Sequence, residues 1–192
     1  GLANPGYGNL PATEKIKAAR LLDKQLTGYT FVSLRGVGEQ PGRQSPRYLS
    51  SWRVLPEGAI IPAFKFNPPN IYTTITDFSV TPNRDYNIYG FAVTNNIPFP
   101  SVEATLYPAA NPYVPLPYIA FNHLGQLESG RDEYIPVARG SVTYARTNGV
   151  VAAGLPTVNE SPAGNSTNAF MLVHIDWLTG RAKLEKQEFR SR

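Results

Sequence analysis

Along most of this chain apolar and polar residues alternate with a period of two, and one stretch near the start departs from that rhythm. The stretch is "ATEKIKAARLLDKQLT" at 12–27. No breaker interrupts it before Gly28, and Pro11 suits a first helical turn because its missing N–H would be unpaired there. At about 100° per residue, Ala18, Ala19, Leu22 and Leu26 fall on one side with Ile16 and Leu21 flanking, and Lys17, Arg20 and Lys24 lie opposite. The pattern predicts a helix over 11–27, about 24 Å long at ~1.5 Å per residue. Alanines in its stripe would let a sheet approach closely.

After Gly28 the period of two takes over. Segments 29–34, 48–55, 59–66, 71–80, 87–94, 118–123, 133–138, 141–146 and 170–177 read as strands rich in β-branched and aromatic residues. Pro62 makes 59–66 an edge strand or a bulge. Residues 36–46 and 148–168 read as loops, and the prolines between 98 and 117 leave room for at most one short strand. Two late segments, "YIAFNHLGQLESG" and "FMLVHIDWLTGRAKLEKQ", read as hairpins turned at Gly125 and Gly180. The layout predicts an α+β fold: an N-terminal helix packed on an antiparallel β-sandwich or twisted sheets. Residues 1–10 read as a flexible leader, with Gly1 as a scar of tag removal, and 11–192 as a single domain with helix 11–27 and a β-rich head at 29–192.

Composition agrees with a globular head. Hydrophobic residues at 42% against 17% charged put the chain outside the disordered class, and 18 prolines with 16 glycines fit many short strands and turns. No apolar run approaches the ~20 residues that span a bilayer. There is no cysteine, which excludes disulfides and thiolate chemistry. The net charge of +4 permits anionic partners without requiring them. Basic residues gather only at the tail, where Arg181, Lys183, Lys186, Arg190 and Arg192 are interrupted by Glu185 and Glu188. That mixture reads as a charged edge strand kept from indiscriminate pairing, so no nucleic-acid partner is expected.

Candidate chemistry is sparse. The two histidines, His123 and His174, stand far apart with no carboxylate or second histidine at ligand spacing, so no metal is expected. His123 precedes a turn. His174 falls opposite the phase of Met171, Val173, Ile175 and Trp177, which reads as a polar-face position. Asp132 and Glu133 are the one adjacent carboxylate pair, and neighbours on a strand face opposite sides, which is wrong for a proton-sharing dyad. No G-x-S-x-G, P-loop or dinucleotide fingerprint occurs. Asn159 and Asn165 begin formal glycosylation sequons. These residues predict neither an enzyme nor a cofactor site.

A resemblance emerges from motif order. A helix "IKAARLLDKQL" leads to a tryptophan strand closed by Leu55-Pro56-Glu57-Gly58, then Ile119 to Gly125, then a closing strand with Thr179-Gly180-Arg181. That order resembles the globular part of prepilin-type proteins, in particular the H-type minor pseudopilins of type II secretion systems. The resemblance implies a pilin-like, non-enzymatic structural subunit of a pseudopilus or type IV pilus-like assembly. It implies a cell-envelope protein anchored in the inner membrane by a hydrophobic N-terminal helix upstream of this sequence, its head facing the periplasm. Its partners would be other pilin-like subunits or secretion-system components. A second reading is a carbohydrate- or ligand-binding β-sandwich, with Tyr107, Tyr113 and Tyr118 stacking on sugar rings.

Overall fold

The structure, a computed structural model, describes residues 10–36, 38–40, 45–94, 97–106, 115–148, 150–151 and 154–186. The chain divides into two compact units of three segments each: Gly1–Pro56, Thr94–Leu116 and Val142–Thr157 form the first, and Glu57–Val93, Pro117–Ser141 and Val158–Arg192 the second.

In the first unit the helix is much shorter than the apolar pattern implied. It runs Ala12–Ala19 with Pro11 at its cap rather than in its first turn, then tightens into a 3-10 turn at Leu22–Lys24 and stops at Leu26, whose φ of 64° is left-handed. Its inward residues explain the brevity. Ala18 meets Leu10, Ala104 and Phe99, while Ile16 is exposed and the buried Glu14 takes a place where the stripe needed an apolar side chain. A short alanine stripe provides little of the tertiary packing that sustains most helices. Beyond Gly28 a two-stranded ribbon follows. Gly28–Tyr29 pairs with Arg53–Val54, and Val32–Ser33 with Arg47–Tyr48. The return strand is the longer between these pairs, so the ribbon is bulged at 49–52. Trp52 packs edge-on against Phe99 at 5.9 Å, and the Tyr48 hydroxyl donates to the Pro98 carbonyl.

The second unit is organised by Glu133–Thr143, an unbroken strand where two shorter ones were expected. The sheet order is Thr157–Glu160, Glu133–Thr143, Met171–Ile175, Ala182–Lys186, with Ala59–Ile60 also pairing to the long strand. The register places Glu133 opposite Ile175 and Tyr134 opposite His174. A hairpin of Tyr72–Asp77 and Arg84–Tyr89 supplies Ile75, Tyr86 and Ile88 to a core completed by Phe170 and Leu172, with Phe64 and Tyr134 packed against it. Pro62 acts as a breaker: the segment expected as strand 59–66 ends at Ile60 and becomes a 3-10 turn at Ala63–Phe66. The expected loop 148–168 holds Val150–Val151, Thr157–Glu160 and a helical turn at Asn165–Asn168.

The fold class is therefore corrected. Among the described residues strand accounts for 37% in small sheets against about 14% helix, with one helix beyond a single turn. The expected α+β architecture, an N-terminal helix packed on an antiparallel sandwich, does not form. The helix buries Ala18 against the 99–104 region, and most strands are only two or three residues long. Leu172 is fully buried, so Leu172→Ala should cost about 2–5 kcal/mol. Ile16→Ala on the exposed helix side should change stability by no more than about 0.5 kcal/mol. Urea unfolding of both variants checks the assignment, and equal losses would contradict it.

Candidate functional site

Catalysis needs titratable or nucleophilic groups held close together, and three such clusters stand out among the described residues. In the first unit the Ser101 hydroxyl lies 2.7 Å from Glu14 Oε2, 2.6 Å from Glu103 Oε2 and 3.4 Å from Lys17 Nζ. A serine beside a lysine suggests a nucleophile and its base. The lysine is wrong for that role. Hydrogen bonds from Nζ to Glu14 and Glu103 raise its pKa above the usual lysine range, so it stays protonated and is no base. Ser101 instead fills the space between two carboxylates and ties the helix start to the 101–103 turn.

The second cluster surrounds Lys65, whose side chain is completely buried. Its ammonium donates to Glu133 Oε1 and to the Tyr89 carbonyl at 2.7 Å, and sits 4.6 Å from the centre of the Phe91 ring. Burial pulls the lysine pKa down, Glu133 opposes that shift, and the nearby Arg131 adds to it. Two hydrogen-bond acceptors and an aromatic face satisfy the charge. Arg131 covers the Tyr89 ring at 4.0 Å and donates to the Pro69 carbonyl.

The third cluster contains His174, and here the strand phase read from the sequence is reversed. Both faces of 170–177 carry apolar residues, and the inward one is Phe170, Leu172 and His174. His174 is buried and stacks on Tyr134, ring centres 4.5 Å apart and planes 21° from parallel. Its Nε2 lies 2.9 Å from Asp132 Oδ2 and its Nδ1 2.9 Å from Glu185 Oε1. Lys183 Nζ reaches the same Glu185 oxygen at 2.8 Å. The buried setting pushes the Glu185 carboxyl upward, but Lys183, the Tyr86 hydroxyl and His174 outweigh it and hold the pKa down at about 2. Asp132 also accepts the Trp177 N–H at 3.0 Å. Every polar atom of the ring is committed to a neighbour on the adjoining strands or loop, so the ring has no free nitrogen for a substrate. His123 lies exposed at its turn and joins no cluster.

Asp132 and Glu133 diverge as a strand dictates: the first faces His174, the second Lys65. Asn165 is buried, its amide bonded to the Arg139 backbone N–H and carbonyl, which removes it as a glycosylation acceptor. Tyr118 is half-buried on a short strand, and Tyr107 and Tyr113 lie outside the described residues, as do Arg190 and Arg192. Among the described residues no group of three or more His, Asp or Glu is placed to hold a metal ion. Among the described residues no helix is long and apolar enough to cross a membrane.

The two glycine turns, at Gly125 and Gly180, are joined in space. The Leu127 N–H donates to the Trp177 carbonyl at 2.8 Å, and Phe121 bridges to Leu127. Gly180 has φ 64°, and a Cβ there would overlap the Gly125 carbonyl oxygen. Only glycine fits that approach. Sequence patterning found each turn but gave no sign that they meet. It also missed Lys65, whose one signal is a lysine set between Phe64 and Phe66.

Comparison with models of protein families, with curated proteins and with solved structures finds no match for this chain.

The Glu185 network makes a pH prediction. A carboxyl held below its ordinary value of 4.5 stabilises the fold in its ionised form. That contribution is complete above about pH 5 and is lost as pH falls from 4.5 towards 2. Urea unfolding at several pH values should show wild type losing more stability over that window than Glu185→Gln. Parallel curves would remove Glu185 from the supports of the fold.

Proposed function

We propose that this protein is a non-enzymatic structural subunit of a bacterial pseudopilus or type IV pilus-like assembly, the periplasm-facing head of a protein anchored in the inner membrane. The observation that carries the reading is the joint between the two glycine turns. The motifs behind the resemblance, Ile119 to Gly125 and Thr179-Gly180-Arg181, pack on each other through the Leu127–Trp177 hydrogen bond and the Gly125–Gly180 approach. These motif residues form a joint within the second unit, which is a structural role. The three polar clusters fit the same view, because Ser101, Lys65 and His174, the groups that could act as nucleophile or base, are each bonded to neighbouring side chains.

The eight-residue helix alters one part of the picture. It is too short to serve as a spine for the head, so subunit contacts in the assembly would rest on surfaces of the small sheets. A hydrophobic segment upstream of the present sequence would supply the membrane anchor. In the native cell, the full reading frame fitted with photo-crosslinkers on exposed head positions should crosslink to pilin-like subunits in membranes. Deleting the gene should abolish secretion or pilus assembly. A product that is freely soluble and never crosslinks to such a subunit would overturn the proposal.

A further inference from the structure

Two exposed apolar faces lie outside the polar clusters, the second bordering one of them at Asp132. The first is the outer side of the first unit's ribbon. Its register puts Tyr29 beside Arg53 and Ser33 beside Arg47, and the Leu49 N–H bonds the Phe31 carbonyl. Alternation then places Tyr29, Phe31, Ser33, Arg47, Leu49 and Arg53 on one side. Phe31 is 54% and Leu49 65% exposed, and Tyr29 meets Phe31 edge-on at 5.8 Å. That side holds two arginines and no carboxylate.

The second face is the end of the second unit where the glycine turns meet. Phe121, Leu124 at 68% exposed, Trp177 and Leu178 all reach solvent there. Its surroundings have the opposite charge. Glu128 follows the Phe121–Leu127 bridge, Asp132 takes the Trp177 N–H, and Asp176 precedes that tryptophan, with Arg181 as the opposing cation. Arg131 turns away onto Tyr89 and the Pro69 carbonyl.

We propose that these faces are complementary and dock between copies of the chain, the Tyr29–Phe31–Leu49 ribbon of one molecule receiving the Phe121–Leu124–Trp177–Leu178 end of the next. This rests on the subunit reading above and names the surfaces the head would use. Aromatic and aliphatic side chains exposed on both faces supply the apolar contact, and Tyr, Trp and Arg are the residue types that dominate interface energetics. Arg47 and Arg53 meet the carboxylate rim of the partner face, which fixes orientation and speeds encounter. The two faces differ from each other, so the contact is heterologous, and a single joined pair leaves one ribbon and one turn end unoccupied. A few large side chains per face cover less than the ~1,200 Å² of a stable interface, so the association is weak and salt-sensitive.

Sedimentation of the purified head tests this with two variants, Arg47→Glu/Arg53→Glu on the ribbon and Leu124→Ser/Leu178→Ser on the turn end. All four positions are exposed, and unchanged melting confirms that each variant folds; Leu49→Ser replaces a ribbon variant that does not. Wild type should grow in mean mass with concentration at low salt and shrink towards monomer at high salt. Each variant alone should remain monomeric. Mixed in equal amounts they should form a 1:1 dimer and nothing longer, because each retains the face the other lacks. A wild type that is monomeric throughout, variants that associate like wild type, or a mixture that stays monomeric would overturn the docking. Membrane crosslinking to pilin-like subunits by a head that is monomeric in solution would sink this contact and leave the subunit reading standing. Self-association without any such crosslinking would do the reverse.

Discussion

The second unit depends on two neighbouring carboxylates that point in opposite directions. Asp132 and Glu133 sit where the long central strand begins, and the pleat sends one to His174 and the other to Lys65. A completely buried ammonium is stable only when its charge is met, and here Glu133, the Tyr89 carbonyl and the Phe91 face meet it. On the other side the imidazole joins Asp132 to Glu185 on the last strand. The strand start is thereby pinned on both faces. The register of Met171–Ile175 and Ala182–Lys186 follows from it, and so does the position of the turn at Gly180.

The same geometry separates structural polarity from reactive polarity. A general base or nucleophile must keep a free valence towards a substrate. His174 has both ring nitrogens occupied, Lys65 is enclosed, and Ser101 lies between carboxylates beside a lysine held in its charged form. Exposed apolar side chains gather elsewhere, on the ribbon and at the joined turns. Those surfaces are where the proposed subunit would meet its neighbours.

Much of the β content was legible from alternation, and so were the hairpin turns at Gly125 and Gly180. The divergence of Asp132 and Glu133 also followed from strand geometry alone. The helix was misjudged because a stripe of alanines looks amphipathic without reaching far enough to bury much, and Leu26 turns out of the helical conformation. His174 was assigned to the wrong face because Phe170–Leu172 and Met171–Val173 offer two apolar phases, and only the partner strands decide between them. The ribbon's mixture of aromatics and arginines was hidden because Tyr29 and Phe31 lie about twenty residues from Arg47 and Arg53 in the chain. Long-range register brings them together.

The claim that these charged clusters support the fold without performing chemistry is tested most directly by replacing one whole pair. In Lys65→Met/Glu133→Leu both charges leave together, a change that is often neutral or stabilising for buried ion pairs. Lys65→Met alone strands a buried carboxylate and typically costs about 3–5 kcal/mol. The measurement is urea unfolding of both variants, together with membrane crosslinking of the double variant in the full-length protein. The account predicts that the double variant folds near wild-type stability and still crosslinks to its neighbours, while the single variant is strongly destabilised. A double variant that is fully folded but inactive in the cell would contradict it, because the pair would then be doing chemistry.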